Sequence, residues 1–141
     1  MKSWFKVVLM LVLVALVGGV LIGCGVSGPE ATVKSMFQAV ETLNADKAGS
    51  YYTERFRESA IQSMKVTFAF ILSMEITNLK TTLASQIDDT ATVTYEFDIE
   101  VKPIVGEGTM KRHSSGSTDL VKEDGKWLIN EPFGGFGGVS S

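Results

Sequence analysis

Apolar and polar positions follow three different rhythms along this chain. Residues 7–22 form an unbroken uncharged run of Val, Leu, Ile, Met, Ala and Gly, with Lys2 and Lys6 just before it. From Val33 the apolar positions fall three and four apart, at Val33, Met36, Phe37, Val40 and then Leu43, which is one face of a helix. Ser27, Pro29 and Glu30 ahead of it match a capping box, with the serine capping and the glutamate returning the bond. Asn44 is placed to cap a short second helix whose Ala48, Tyr51 and Tyr52 share a face. Thr53 opens a third, with Phe56, Ala60, Met64, Phe68 and then Ile71 or Leu72 as its buried stripe.

Beyond Met74 the period drops to two. Residues 76–87 read as a weakly patterned, Thr-rich strand, and Asp88-Asp89 marks a turn. Ala91, Val93, Tyr95, Phe97, Ile99 and Val101 then alternate with Thr92, Thr94, Glu96, Asp98 and Glu100, a strand with one buried and one wet face. Pro103 and Gly106 end it. Residues 109–121 read as a long polar strand, and Asp124-Gly125 as a two-residue hairpin leading to a strand over 126–130. The Gly-rich stretch 133–141 reads as a flexible tail whose two Phe can dock on the domain. Helices followed by antiparallel strands define an α+β domain, here three N-terminal helices packed on about four strands.

The chain has 141 residues, and its 45% apolar content owes much to the run at 7–22. Two lysines, an apolar run and then small residues are the layout of a secretory signal. Leu21-Ile22-Gly23-Cys24 resembles the bacterial lipobox, with the only cysteine of the chain at the position that receives lipid. Small residues before the scissile bond open it to the peptidase. Each acyl methylene on the cysteine then adds about 0.8 kcal/mol of membrane affinity. Gly25, Ser27, Gly28 and Pro29 read as a linker, so Cys24 is not a core thiol. The expected organisation is a signal peptide at 1–23, a lipidated tether at 24–28, a domain at 29–132 and the tail at 133–141. The alternative is an uncleaved transmembrane anchor, since no charge falls between Lys6 and Glu30. The domain is expected outside the cytoplasm, held on a cell membrane or outer membrane.

Cleavage before Cys24 would leave 118 residues, and with Lys2 and Lys6 gone the net charge of −3 becomes −5. An acidic domain with scattered lysines argues against nucleic acid as a partner, because phosphate binding needs clustered Lys and Arg. A lone cysteine excludes an internal disulfide.

Residues 28–53, "GPEATVKSMFQAVETLNADKAGSYYT", resemble the opening helices of nuclear-transport-factor-2-like domains. Residues 120–129, "LVKEDGKWLI", resemble their terminal hairpin. With the lipobox, the chain resembles small bacterial lipoproteins that carry such a cystatin-like α+β domain. The resemblance implies a curved sheet wrapped on the long helix around a conical pocket. Some members are isomerases, dehydratases or hydrolases, and others only bind, dimerise or assemble.

The candidate chemistry is sparse. Glu96, Asp98 and Glu100 alternate with the buried face, so they read as solvated charges paired with Lys111 and His113 of the next strand. His113 is the only histidine, and no cluster has metal-ligand spacing, so neither a metal nor a cofactor is expected. Arg112 shares strand phase with Met110 and Leu120, and unbroken alternation would point it toward Tyr51, Tyr52 or Tyr95 as the polar anchor of a pocket, the other reading being a rim arginine that snorkels. A bulge at Gly106, Gly108 or Gly116 would reverse that facing. The sequence therefore favours a lipid-anchored binding or assembly module without enzymatic activity. Its expected partners are a small hydrophobic ligand or a protein, with a homodimer through the sheet as a further form. The competing class is a small-molecule enzyme using the cone. An Asp, Glu or His facing into the cone would favour the enzyme; by phase, none on the strand at 91–101 does.

Overall fold

The fold described here is a computed structural model covering residues 28–134. Leu21, Ile22, Gly23 and Cys24 of the expected processing site lie outside it, as does most of the tail. Helix α1 runs Pro29–Glu41 and buries Val33, Met36, Phe37, Ala39 and Val40. Proline suits the first helical position because its missing N–H would be unpaired there anyway. That places the cap at Gly28, in extended conformation and without a side-chain bond, rather than at Ser27 as the capping box predicts. Leu43 turns the chain with a φ of 57°, and Asn44 then caps α2 (Ala45–Gly49) by accepting from the Lys47 amide at 3.1 Å. Helix α3 runs Glu54–Phe68 and buries Ala60, Met64 and Phe68.

The third helical stripe does not continue to Ile71 or Leu72. Strand β1 already begins at Ile71 and runs Ile71–Ile87, five residues earlier than the local period suggests. Its partner β2 (Thr90–Pro103) reaches far enough for Pro103 to pair with Ile71, so the length of β2 sets where β1 begins. Strand β3 runs Met110–Glu123 and β4 Lys126–Ile129, and the antiparallel order is β1-β2-β3-β4. Asp124 and Gly125 both have positive φ, which suits a tight two-residue hairpin between Glu123 and Lys126. The β1–β2 register slips at three places, one of them around Asn78 with a φ of 54°. Such bulges bend a sheet and raise its twist. The β2–β3 register is unbroken from Thr90–Val121 to Val101–Met110, so the glycines of β3 and its approach do not reverse its facing.

Two bonds pin α1 across the concave face. Thr32 Oγ1 donates to the Trp127 carbonyl at 3.0 Å in β4, and Glu41 Oε2 accepts the Ile76 amide at 2.7 Å in β1. The helix so held covers Ala91, Val93, Phe97 and Ile99, the inward residues of β2, all 5% exposed or less. Outside β4, the segment after α2 adds a short parallel bridge between Tyr52 and Ile129. There the Thr53 amide donates to the Ile129 carbonyl at 2.9 Å and the Ile129 amide to the Tyr51 carbonyl at 2.8 Å. No helix among the described residues is long and apolar enough to cross a membrane.

Candidate functional site

A cavity of about 290 Å³ opens on the concave side between α1, the sheet and the segment after β4. Its floor is aromatic because β2 alternates and α1 places Phe37 over the alternation. Phe37 meets Phe97 at 4.7 Å and Tyr95 at 5.0 Å between ring centroids, both tilted, and Tyr95 stacks near Phe97 at 6.1 Å. Tilted and offset pairs are the favoured arrangements of aromatic rings. Ser114, opposite Phe97, and Thr118, opposite Val93, add hydroxyl groups from β3. Tyr95 lies over Gly116, where a Cβ would come within 2.7 Å of its hydroxyl. The glycine therefore makes room for the tyrosine rather than a bulge.

Tyr52 enters the same cavity from the bridge beside β4. Burial, and after it the neighbouring Glu131 carboxylate, push its hydroxyl far above the ordinary phenol range. Burial and Glu131 raise Tyr95 as well. Neither hydroxyl is hydrogen-bonded to another described residue. Glu131, Pro132, Phe133 and Gly134 form the remaining wall, fixed by Asn130, whose amide donates to the Asp119 carbonyl at 2.8 Å. The start of the tail thus packs on the domain at Phe133, one of the half-buried residues against the core.

Of the residues singled out in the sequence, the structure brings Tyr52 and Tyr95 to this cavity and leaves Tyr51 and Arg112 out of its lining. Arg112 pairs with Ile99 and so shares the helix-facing side of the sheet, but at a position that stays exposed. It borders a shallow groove with Glu75, Asp98, Glu100, Lys111 and His113. On the wet face His113 Nδ1 lies 2.7 Å from Asp98 Oδ1, and Asn78 donates to the other Asp98 oxygen at 2.9 Å. Asn78 first and His113 second hold the Asp98 carboxyl below its usual range. The His113 side chain is 60% exposed, and Glu96 pairs with Lys80 at 3.6 Å. Glu100 faces Lys111 in register without forming an ion pair among the described residues.

Sequence reasoning missed Glu131. None of the β2 carboxylates faces the cone, in keeping with the phase of that strand, but this one reaches it from beyond the last strand. Its only local signal is a glutamate beside Pro132 directly after an apolar strand. No group of three or more His, Cys, Asp or Glu among the described residues is placed to hold a metal ion.

The tyrosines carry a pH signature. The unfolded chain releases the Tyr52 proton near pH 10, and the folded chain holds it to higher pH. Above pH 10 the unfolded state therefore binds fewer protons, and stability falls by up to about 1.4 kcal/mol per pH unit for this group. In Tyr52→Phe the alkaline limb of the stability curve should be shallower than in the wild type. Denaturant midpoints from pH 8 to 11 check this, and an unchanged slope would contradict it.

This arrangement of three helices on four antiparallel strands is similar to that of solved structures at low sequence identity. A candidate dehydratase of the nuclear-transport-factor-2-like family from Streptomyces avermitilis superposes with a TM-score of 0.56 at 12% identity, over 72% of this chain and 89% of that one. This chain has the nuclear-transport-factor-2-like fold. An uncharacterised cystatin-fold protein from Novosphingobium aromaticivorans matches with a TM-score of 0.51 at 14% identity, over 73% and 96% of the two chains. A type 2 hexachlorocyclohexane dehydrochlorinase matches at 0.56 and 14% identity, over 74% and 88%. No family model matches the sequence, and neither does any curated protein. At these identities the nuclear-transport-factor-2-like likeness is one of fold, and function has to be argued from the cavity.

Proposed function

We propose that the cone binds a small molecule with an apolar body, on a domain that lipidation of Cys24 tethers to the outer face of a membrane. The observation that carries the binding reading is the aromatic-floored cavity with two tyrosine hydroxyls that no described residue engages. Apolar walls with a few placed polar groups are the usual make-up of a ligand site, and about 290 Å³ suits a small ligand. Ser114→Trp fills the cavity from β3 and serves as the control. Small aromatic alcohols and amines should raise the melting temperature of the wild type and leave Ser114→Trp unmoved, because only a ligand bound to the native state stabilises it. No shift in the wild type, or an equal shift in both, defeats the reading.

Glu131 favours a second reading, a proton-abstracting enzyme, since a carboxylate beside two tyrosines is a base next to hydrogen-bond donors. Relatives in fold named as a candidate dehydratase and a dehydrochlorinase lend it some support. Binding is preferred because no His, Lys or second carboxylate among the described lining residues stands beside Glu131 as a general acid. Turnover of a bound compound that Glu131→Gln abolishes would reverse the preference.

The anchor rests on the lipobox resemblance and on the basic and apolar residues ahead of it. Cys24→Ala should abolish metabolic labelling with fatty acid and leave the precursor uncut. Labelling and size like those of the wild type would overturn the lipidation.

A further inference from the structure

Among the described residues that line the cavity, Glu131 is the only carboxylate, and no Lys, Arg or His is present. Glu131 is a partly buried residue beside Pro132 and Phe133, and its carboxylate forms no hydrogen bond or ion pair with another described residue. A cation brought to such a carboxylate gains a charge-assisted bond that a neutral visitor cannot make. The remaining walls suit the same visitor, because Phe37, Tyr95 and Phe97 line the cavity and aromatic rings attract cations. A carboxylate ligand would meet Glu131 as a like charge. A neutral ligand would leave it unpaired.

We propose that the cavity takes a small organic cation, an ammonium group on an apolar body, with the ammonium against Glu131 and the body on the Phe37–Phe97 floor. This rests on the reading of the cone as a ligand site and names the class of ligand. The raised tyrosines agree with it: they remain neutral, add no second negative charge, and leave their oxygens free to accept from the ammonium.

Three probes with one skeleton test it on the full chain in detergent at pH 7: 2-phenylethylamine, 2-phenylethanol and phenylacetate, titrated by calorimetry. The amine is expected to bind about tenfold or more tighter than the alcohol, as a charge-assisted bond should yield, with phenylacetate weakest. In Glu131→Gln the amine should fall to the affinity of the alcohol, while the alcohol keeps its own, which also shows that the variant is folded. Equal binding of amine and alcohol by the wild type, or a preference that survives in Glu131→Gln, overturns the cation and leaves the cavity as a ligand site. Binding of none of the three, with Ser114→Trp behaving as the wild type, overturns the ligand site and the cation together.

Discussion

Phe97→Ala should destabilise the domain by about 3–5 kcal/mol, the cost of deleting a buried aromatic side chain from a packed core. Phe97 is 2% exposed at the centre of β2 and meets Phe37 ring to ring at 4.7 Å. Its loss would remove one ring from the core and leave a void continuous with the cavity above. A domain of this size holds only about 5–15 kcal/mol of stability in total, so the effect is large. In denaturant titrations the midpoint should fall while the slope stays constant, as for a native state that is less stable and equally compact. A loss below about 1 kcal/mol would mean that the ring does not carry the packing assigned to it.

The second large effect is expected at a residue with no side chain. Gly49, the last residue of α2, lies so close to α3 that a Cβ there would run into Cγ1 of Ile61 and come within 2.8 Å of its Cδ1. Helix propensity alone would favour alanine over glycine by about 1 kcal/mol. Overpacking typically costs about 1–3 kcal/mol, so Gly49→Ala should destabilise in spite of propensity. Ile61→Ala in the same chain removes the obstructing atoms, and the double variant should lose less than the sum of the two single ones. A stabilised Gly49→Ala would show that the helices have room to part.

Most of the elements are legible in the residues because each satisfies a local rule. The stripe at Val33, Met36, Phe37 and Val40, the cap at Asn44, the alternation through Phe97 and the Asp124-Gly125 hairpin need only their neighbours in sequence. Errors fall where a distant partner decides. Strand β1 starts at Ile71 because Pro103 lies opposite it, and the sequence around Ile71 continues the helical stripe without a break. The site is less legible still. Tyr52 and Tyr95 could be named from their faces, whereas Arg112, in phase with them, stays exposed and outside the cavity lining.

Residue order by itself determines the α+β class, the inward face of β2 and the outward carboxylates of Glu96, Asp98 and Glu100, all consequences of periods of 3.6 and 2. It also places Lys2, Lys6 and Cys24 where lipid processing is expected. Only the tertiary structure decides that Tyr52 is drawn into the cone by its bridge to Ile129, and that the segment after β4 turns back to set Glu131 beside two tyrosines. The bridge joins residues 77 positions apart, through backbone bonds that no local pattern of side chains encodes. The polar end of the cavity is a property of the closed fold.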